Sequence, residues 1–234
     1  MQLHTARLTL VLTAIALGCS LEPPAPSGVV DESSHRVLAL GEVVGSAGRF
    51  GAHAWRGVPY ARPPVGGLRW REPRPPEPWG ERLEAVANPP ACMQIANPAG
   101  GADGADPGEP TGSEDCLYLN VFAPRFTPDS VPEGDARLPV MFWIHGGGNT
   151  VGDVAMYDGG RLATEHGVIV VAVQYRLGPF GWFRHPALRS EGASDAGRSG
   201  NFGTLDLIAA LEFVSDHIGA FGGDPDHVTI CGES

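Results

Sequence analysis

Two short stretches hold residue types able to do covalent chemistry. The last three residues are Gly232-Glu233-Ser234, directly after the β-branched run Val228-Thr229-Ile230-Cys231 and a glycine/proline turn at 221–225. A serine on a sharp turn leaving a strand has its Oγ lifted clear of the sheet, and a small residue two places earlier, here Gly232, lets that turn close. Far upstream, His145-Gly146-Gly147-Gly148 follows the apolar run 139–144. Consecutive glycines reach positive φ and turn backbone N–H groups towards a ligand, as stabilising an oxyanion requires. Taken singly, Gly-x-Ser reads more readily as a polar turn after a strand, and the triplet as a flexible loop or a weak phosphate loop. Together they are the two parts that acyl transfer needs. Neither Gly-x-x-x-x-Gly-Lys nor Gly-x-Gly-x-x-Gly occurs, so a nucleotide loop is not indicated.

Both stretches need strands to carry them. The runs 139–144 and 168–173 are continuously apolar, as strands covered on both faces read, and 117–122 is a shorter candidate. A short helix is expected over 157–166, ending at Gly167. Leu207, Leu211, Val214 and Ile218 recur at i, i+4, i+7 and i+11, which predicts an amphipathic helix over 203–218 with these four on its buried face. Strand–helix–strand–helix–strand with buried runs argues for an α/β fold, a mostly parallel sheet with crossover helices. Ahead of it, 38–46 and 50–58 read as a β-hairpin joined near Gly48. The stretch 59–66 is too proline-rich for a helix or a central strand, and 93–113, rich in glycine and proline, reads as a mobile loop.

Composition bounds the classes. The 234 residues carry a net charge of −11, and all 16 basic residues are arginine, so the clustered cations of a nucleic-acid binder are missing. The chain has 42% hydrophobic residues with 33 glycines and 22 prolines, the profile of a loop-rich globular domain. Residues 1–19 read as a signal peptide: Arg7, an apolar stretch from Leu8 to Leu17, and a lipobox-like Ala16-Leu17-Gly18-Cys19. Cys19 is the candidate lipidation site of a bacterial cell-envelope lipoprotein; an ordinary secretory signal is the other reading. Two or more acyl chains there anchor stably, and this is the one membrane contact expected. Residues 20–36 read as a Pro/Ser-rich tether and 37–234 as the folded part. In an exported chain Cys92 and Cys116, flanking a loop, are candidates for pairing, and Cys231 in the last strand reads as an inert core residue.

At this point the motifs resemble the type-B carboxylesterase family, the cholinesterase-like branch of the α/β-hydrolases. Glu114-Asp115-Cys116-Leu117-Tyr118-Leu119-Asn120-Val121-Phe122-Ala123-Pro124 is similar to one family signature, and residues 221–234 to the other as far as they go. Residues 57–70, Tyr175-Arg176-Leu177-Gly178 and 200–206 also resemble the family, so the likeness covers about 38–234. It implies a carboxylic ester hydrolase with small-molecule esters as substrates and no cofactor or metal. Ser234 would be the nucleophile, and Gly147 and Gly148 would supply oxyanion N–H groups, with a third from residue 235. Glu233 would support the site's hydrogen-bond network. Cys92–Cys116 would be a disulfide, and Arg69 with Glu114 and Arg176 with Asp206 would be structural ion pairs.

The sequence also departs from the pattern. Residues 93–115 hold no aromatic where cholinesterases stack choline, so cholinesterase activity is not expected; Asn149 stands where an aromatic usually follows the triplet. The acid and histidine of the family's triad follow the serine, and none of the eight histidines here fits that role. The chain is therefore expected to be the N-terminal part of an esterase, inactive alone; the competing reading is a catalytically silent adhesion or binding module.

Overall fold

The structure, a computed structural model, describes residues 28–97, 105–188 and 194–233. The strands are β1 (Arg36–Leu38), β2 (Gly41–Val44), β3 (Ser46–Ala47), β4 (Ala52–Pro59), β5 (Leu83–Glu84), β6 (Gln94–Ile95), β7 (Pro110–Thr111), β8 (Tyr118–Pro124), β9 (Leu138–Ile144), β10 (Ile169–Val173) and β11 (Gly223–Gly232). The α-helices are α1 (Gly160–His166), α2 (Gly178–Gly181), α3 (Asp195–Ser199) and α4 (Phe202–His217).

Six strands form the main sheet in the order β11-β9-β10-β8-β4-β3. β10 and β11 both run parallel to β9, while the pairs β10–β8, β8–β4 and β4–β3 are antiparallel. The crossover helices link the parallel trio as the buried runs required; the described part of the sheet is mixed because the N-terminal strands meander on to it. Side-chain alternation splits the core in two. Val121, Val171, Val173 and Trp55 face α4, where they meet Ala210, Phe213, Val214 and Phe221. Ala54, Phe122 and Val170 face the other way and pack under Ala163 of α1. The connection from β9 to β10 uses α1 on one face. The return from β10 to β11 passes beneath β9 on the other face, through α4. The strand order thus reverses around β9, and such reversals leave a crevice at the carboxyl ends of the parallel strands.

Several expectations need correction. The run 38–46 is not one strand: β1 and β2 pair as their own hairpin around a turn at 39–40, and only Ser46 and Ala47 pair with β4 across Gly48. The loop 93–113 has an ordered base, where β6 pairs with β7 and Cys92 bridges Ser113; its residues 98–104 lie outside the described part. The buried stripe of α4 runs through Phe202, Asp206, Ala210, Phe213 and Val214, with Leu207 and Leu211 at its border, because Asp206 is drawn inwards by Arg176. Cys231 is half-buried instead of core, being on the outermost strand of the described sheet.

The tether read over 20–36 does not extend to 36: from Val30 the chain enters the fold across the opposite edge, with Ser34 and Arg36 buried. Val30 bridges Ser46, and the segment Asp31–Ser34 crosses β4 at His53, whose side chain is wholly buried. His53 Nε2 lies 3.0 Å from Ser33 Oγ and 3.5 Å from Asp31 Oδ2, while Ser33 Oγ donates to Asp31 Oδ1 at 2.6 Å. Arg125 also pairs with Asp31. Because the Ser33 proton is committed to Asp31, this serine–histidine–aspartate group is a lock, not a second nucleophile.

Candidate active site

The glycine loop is shaped by its own close contacts. Gly147, Gly148 and Asn149 have φ of 104°, 60° and 62°, three left-handed residues in a row. A Cβ on Gly147 would sit 2.0 Å from the carbonyl oxygen of Val151, so only glycine fits. Val151 and Thr150 donate their N–H groups to Gly147 O at 3.2 and 3.1 Å, and Gly178 N donates to Asn149 O at 2.7 Å. The N–H groups of Gly147 and Gly148 are given to no backbone carbonyl among the described residues.

The ring of His145 lies under this loop. It is 1% exposed and stacks on Tyr175 with centroids 4.5 Å apart, and the Tyr175 hydroxyl donates to His145 O at 2.8 Å. Burial lowers its pKa, so the ring is neutral at pH 7. This histidine supports the loop and is walled off from any substrate.

The loop's far end is held by a residue that the sequence did not single out. Gly152 N donates to Gln94 Oε1, and Gln94 Nε2 donates to Gly152 O, both at 2.9 Å. Nothing in the sequence marks Gln94 beyond its place two residues after Cys92. Nearby, Gln174 donates to Asp153 Oδ1 at 3.1 Å, and Asp153 caps the following turn through Ala155 N.

The second stretch arrives beside the first. In the β11–β9 register Gly232 pairs with Ile144, and Glu233 N donates to Ile144 O at 3.3 Å. The glycine loop and Gly232-Glu233 therefore leave adjacent strand ends. The Glu233 side chain accepts a hydrogen bond from the Tyr157 hydroxyl at 2.9 Å, and the Tyr157 ring packs against Trp143. Burial, then the bond to Glu233, push the Tyr157 hydroxyl up to about 12. Tyr157 too was not legible in advance, since a tyrosine between Met156 and Asp158 carries no local signal. Ser234 and Cys19 lie outside the described residues.

The other expected partners meet. Cys92 and Cys116 form a disulfide. Arg69 and Glu114 make a bidentate pair near the surface. Arg176 forks on to Asp206 with Nε–Oδ2 of 2.8 Å and Nη2–Oδ1 of 2.7 Å, both residues buried. Burial pushes the Asp206 carboxyl up, and the Arg176 hydrogen bonds pull against it. A cleft of about 490 Å3 opens next to the loop, lined by Met93, Ile95, Pro110, Val151 and Phe180 among others, with no charged side chain among the described residues of its wall. Its aromatic ring comes from α2, not from the loop between the cysteines. Among the described residues no cluster of histidine, cysteine and carboxylate side chains could hold a metal.

With this geometry in view, residues 33–234 match the model of the carboxylesterase family. The chain is 47% identical over 205 residues to para-nitrobenzyl esterase of Bacillus subtilis, covering 86% of this chain and 38% of that one. It is 42% identical over 234 residues to liver carboxylesterase of Sus scrofa, covering 97% and 39%. Among solved structures, a para-nitrobenzyl esterase superposes with a TM-score of 0.70 at 44% identity, over 86% of this chain and 38% of the other. The chain thus spans about two fifths of the length of these relatives. Sequence, fold and relatives agree, and the chain belongs to the carboxylesterase family, on the α/β-hydrolase fold.

Proposed function

We propose that this chain is the N-terminal part of a serine carboxylesterase that hydrolyses small, uncharged carboxylic esters. The observation that carries the reading is the meeting of two strand ends. The loop of Gly147 and Gly148, whose N–H groups meet no backbone carbonyl among the described residues, leaves β9 beside the point where Gly232 and Glu233, the residues just before Ser234 in sequence, leave β11. In the proposed reaction Ser234 Oγ attacks the ester carbonyl carbon, and the carbonyl oxygen takes up negative charge against the two glycine N–H groups. Collapse expels the alcohol and leaves an acyl-serine, and water then adds to the acyl carbon, freeing the acid and the serine. The general base is assigned to a histidine downstream of Ser234, in keeping with the family's order of triad residues, because His145 is buried against Tyr175. Without that base the serine hydroxyl is a poor nucleophile, so residues 1–234 alone are expected to be inactive.

The cleft beside the loop, apolar and without charge among its described residues, favours apolar acyl or alcohol groups over cations. Export, with lipidation at Cys19, belongs to the same proposal; it is supported by the leader's pattern and by the Cys92–Cys116 disulfide, a bond kept in oxidising compartments. The test is fluorophosphonate labelling of the full-length protein with peptide mapping, beside hydrolysis of a p-nitrophenyl ester. Labelling at Ser234, and loss of both signals in Ser234→Ala, is the expected result. Hydrolysis that survives Ser234→Ala overturns the proposal.

A further inference from the structure

Gln94 is 7% exposed and spends its side-chain amide entirely on backbone. Its oxygen takes the Gly152 N–H, and its nitrogen gives one hydrogen to Gly152 O at 2.9 Å and reaches Cys92 O at 3.1 Å. The pairing with Gly152 copies one rung of a β-ladder, made by a side chain across 58 positions of sequence. Gly152 in turn has no slack. Its φ is 133°, and a Cβ there would lie 2.3 Å from Nδ1 of His145. The residue before it, Val151, presses its carbonyl on Gly147 and bonds Gly147 O through its N–H. A continuous series of contacts thus runs from the disulfide at Cys92, through the Gln94 amide, to Gly152 and Gly147.

We infer that Gln94 is a positioning residue for the oxyanion loop, fixing its far end to the disulfide-closed segment as β9 fixes its near end. The inference rests on the reading of Gly147 and Gly148 as oxyanion donors. Those donors act only if they are pre-set where charge develops, and a displacement of an ångström is enough to cost one to two orders of magnitude in rate. Gln94 lines the cleft but its polar atoms face backbone, so its loss bears on the charged transition state more than on ester binding.

The test uses full-length enzyme with three changes: Gln94→Leu, Gln94→Glu and, as control, Ser234→Ala. Fluorophosphonate titration counts competent sites, and kcat and KM are measured on a p-nitrophenyl ester. For Gln94→Leu, kcat per site is expected to fall roughly 10- to 100-fold with KM within about threefold of wild type. A carboxylic acid reproduces the amide's donor–acceptor pair only while protonated; ionised, it would face the Gly152 and Cys92 carbonyls. The ratio of Gln94→Glu to wild-type kcat is therefore expected to be near one at pH 5 and to fall as pH rises to 8. His145 under Gly152 and Asp153 next to it are common to both proteins and cancel in the ratio. Wild-type kcat in Gln94→Leu, a rise confined to KM, or a flat Gln94→Glu ratio overturns the inference. If Gln94→Leu does not fold, Gln94→Glu decides, and failure to fold even at pH 5 counts against it. Wild-type hydrolysis insensitive to Ser234→Ala would instead overturn the functional reading, so the two failures are separable.

Discussion

Acid should loosen this protein through one buried histidine. His53 is 0% exposed, and burial, with the positive charges of Arg36 and Arg125, depresses its pKa from 6.5 to about 4, Asp31 opposing. Above pH 6.5 the ring is neutral in both folded and unfolded chains, and no penalty arises. Between 6.5 and about 4 the unfolded chain binds a proton that the folded one refuses, so stability is lost as pH falls. The full shift, at about 1.4 kcal/mol per pH unit, comes to ~3 kcal/mol below pH 4, and ~2 kcal/mol of it is already gone at pH 5. Asp31, whose pKa is lowered from 3.8 by its bonds from Ser33 and Arg125 against its own burial, titrates below this window and does not confuse it. The assay is urea unfolding of full-length protein at pH 7 and pH 5, for wild type and His53→Gln. The other histidines contribute equally to both proteins. The wild type is expected to lose ~2 kcal/mol more than the variant between the two pH values. Parallel losses, within about 0.5 kcal/mol, would refute the placement of a neutral, sealed ring under the Asp31–Ser34 segment.

Three further outcomes are expected. Gly147→Ala puts a methyl group on to the Val151 carbonyl at a left-handed residue, so ester hydrolysis should fall at least 100-fold and chemical denaturation should show a loss of about 1–3 kcal/mol. Tyr157→Phe removes the hydroxyl that holds Glu233, and kcat/KM should fall between about 2- and 10-fold with unchanged fluorophosphonate site counts. Arg176→Ala strands the buried Asp206 carboxylate, and chemical denaturation should show a loss of about 3–5 kcal/mol, whereas Arg69→Ala, whose pair lies near the surface, should leave the denaturation curve close to that of the wild type.

How much of this was legible beforehand depends on the range of each interaction. The apolar runs that became β9 and β10 were plain because a strand between two layers has no polar face to interrupt its pattern. The glycine triplet and Gly-Glu-Ser were plain because each needs its residue types locally. The α4 stripe was read a residue off at its start because Asp206 broke the apolar rule: a charge is taken into the core only when its partner, Arg176, is there to meet it. Gln94 and Tyr157 were not visible at all. Their roles come from backbone and carboxylate groups 58 and 76 positions away, a separation at which composition and periodicity say nothing. The ordered base of 93–113 was hidden for a related reason, since two-residue strands leave no period to detect.

The seating of the N-terminal segment has a mechanical consequence. Val30 closes the open side of β3, the strand at one margin of the six-stranded sheet, whereas Glu233 emerges from β11 at the other margin. Five interstrand steps of about 4.8 Å separate these margins by roughly 24 Å. A pull applied at residue 28 is therefore borne by β3 and the Asp31–His53 lock. It reaches β11 across the width of the sheet and, more directly, through Trp55, whose ring packs edge-on against Phe221 just ahead of that strand. A surface holding the chain by its leading end would thus grip the molecule by the rim opposite the strand that carries Gly232 and leads to Glu233.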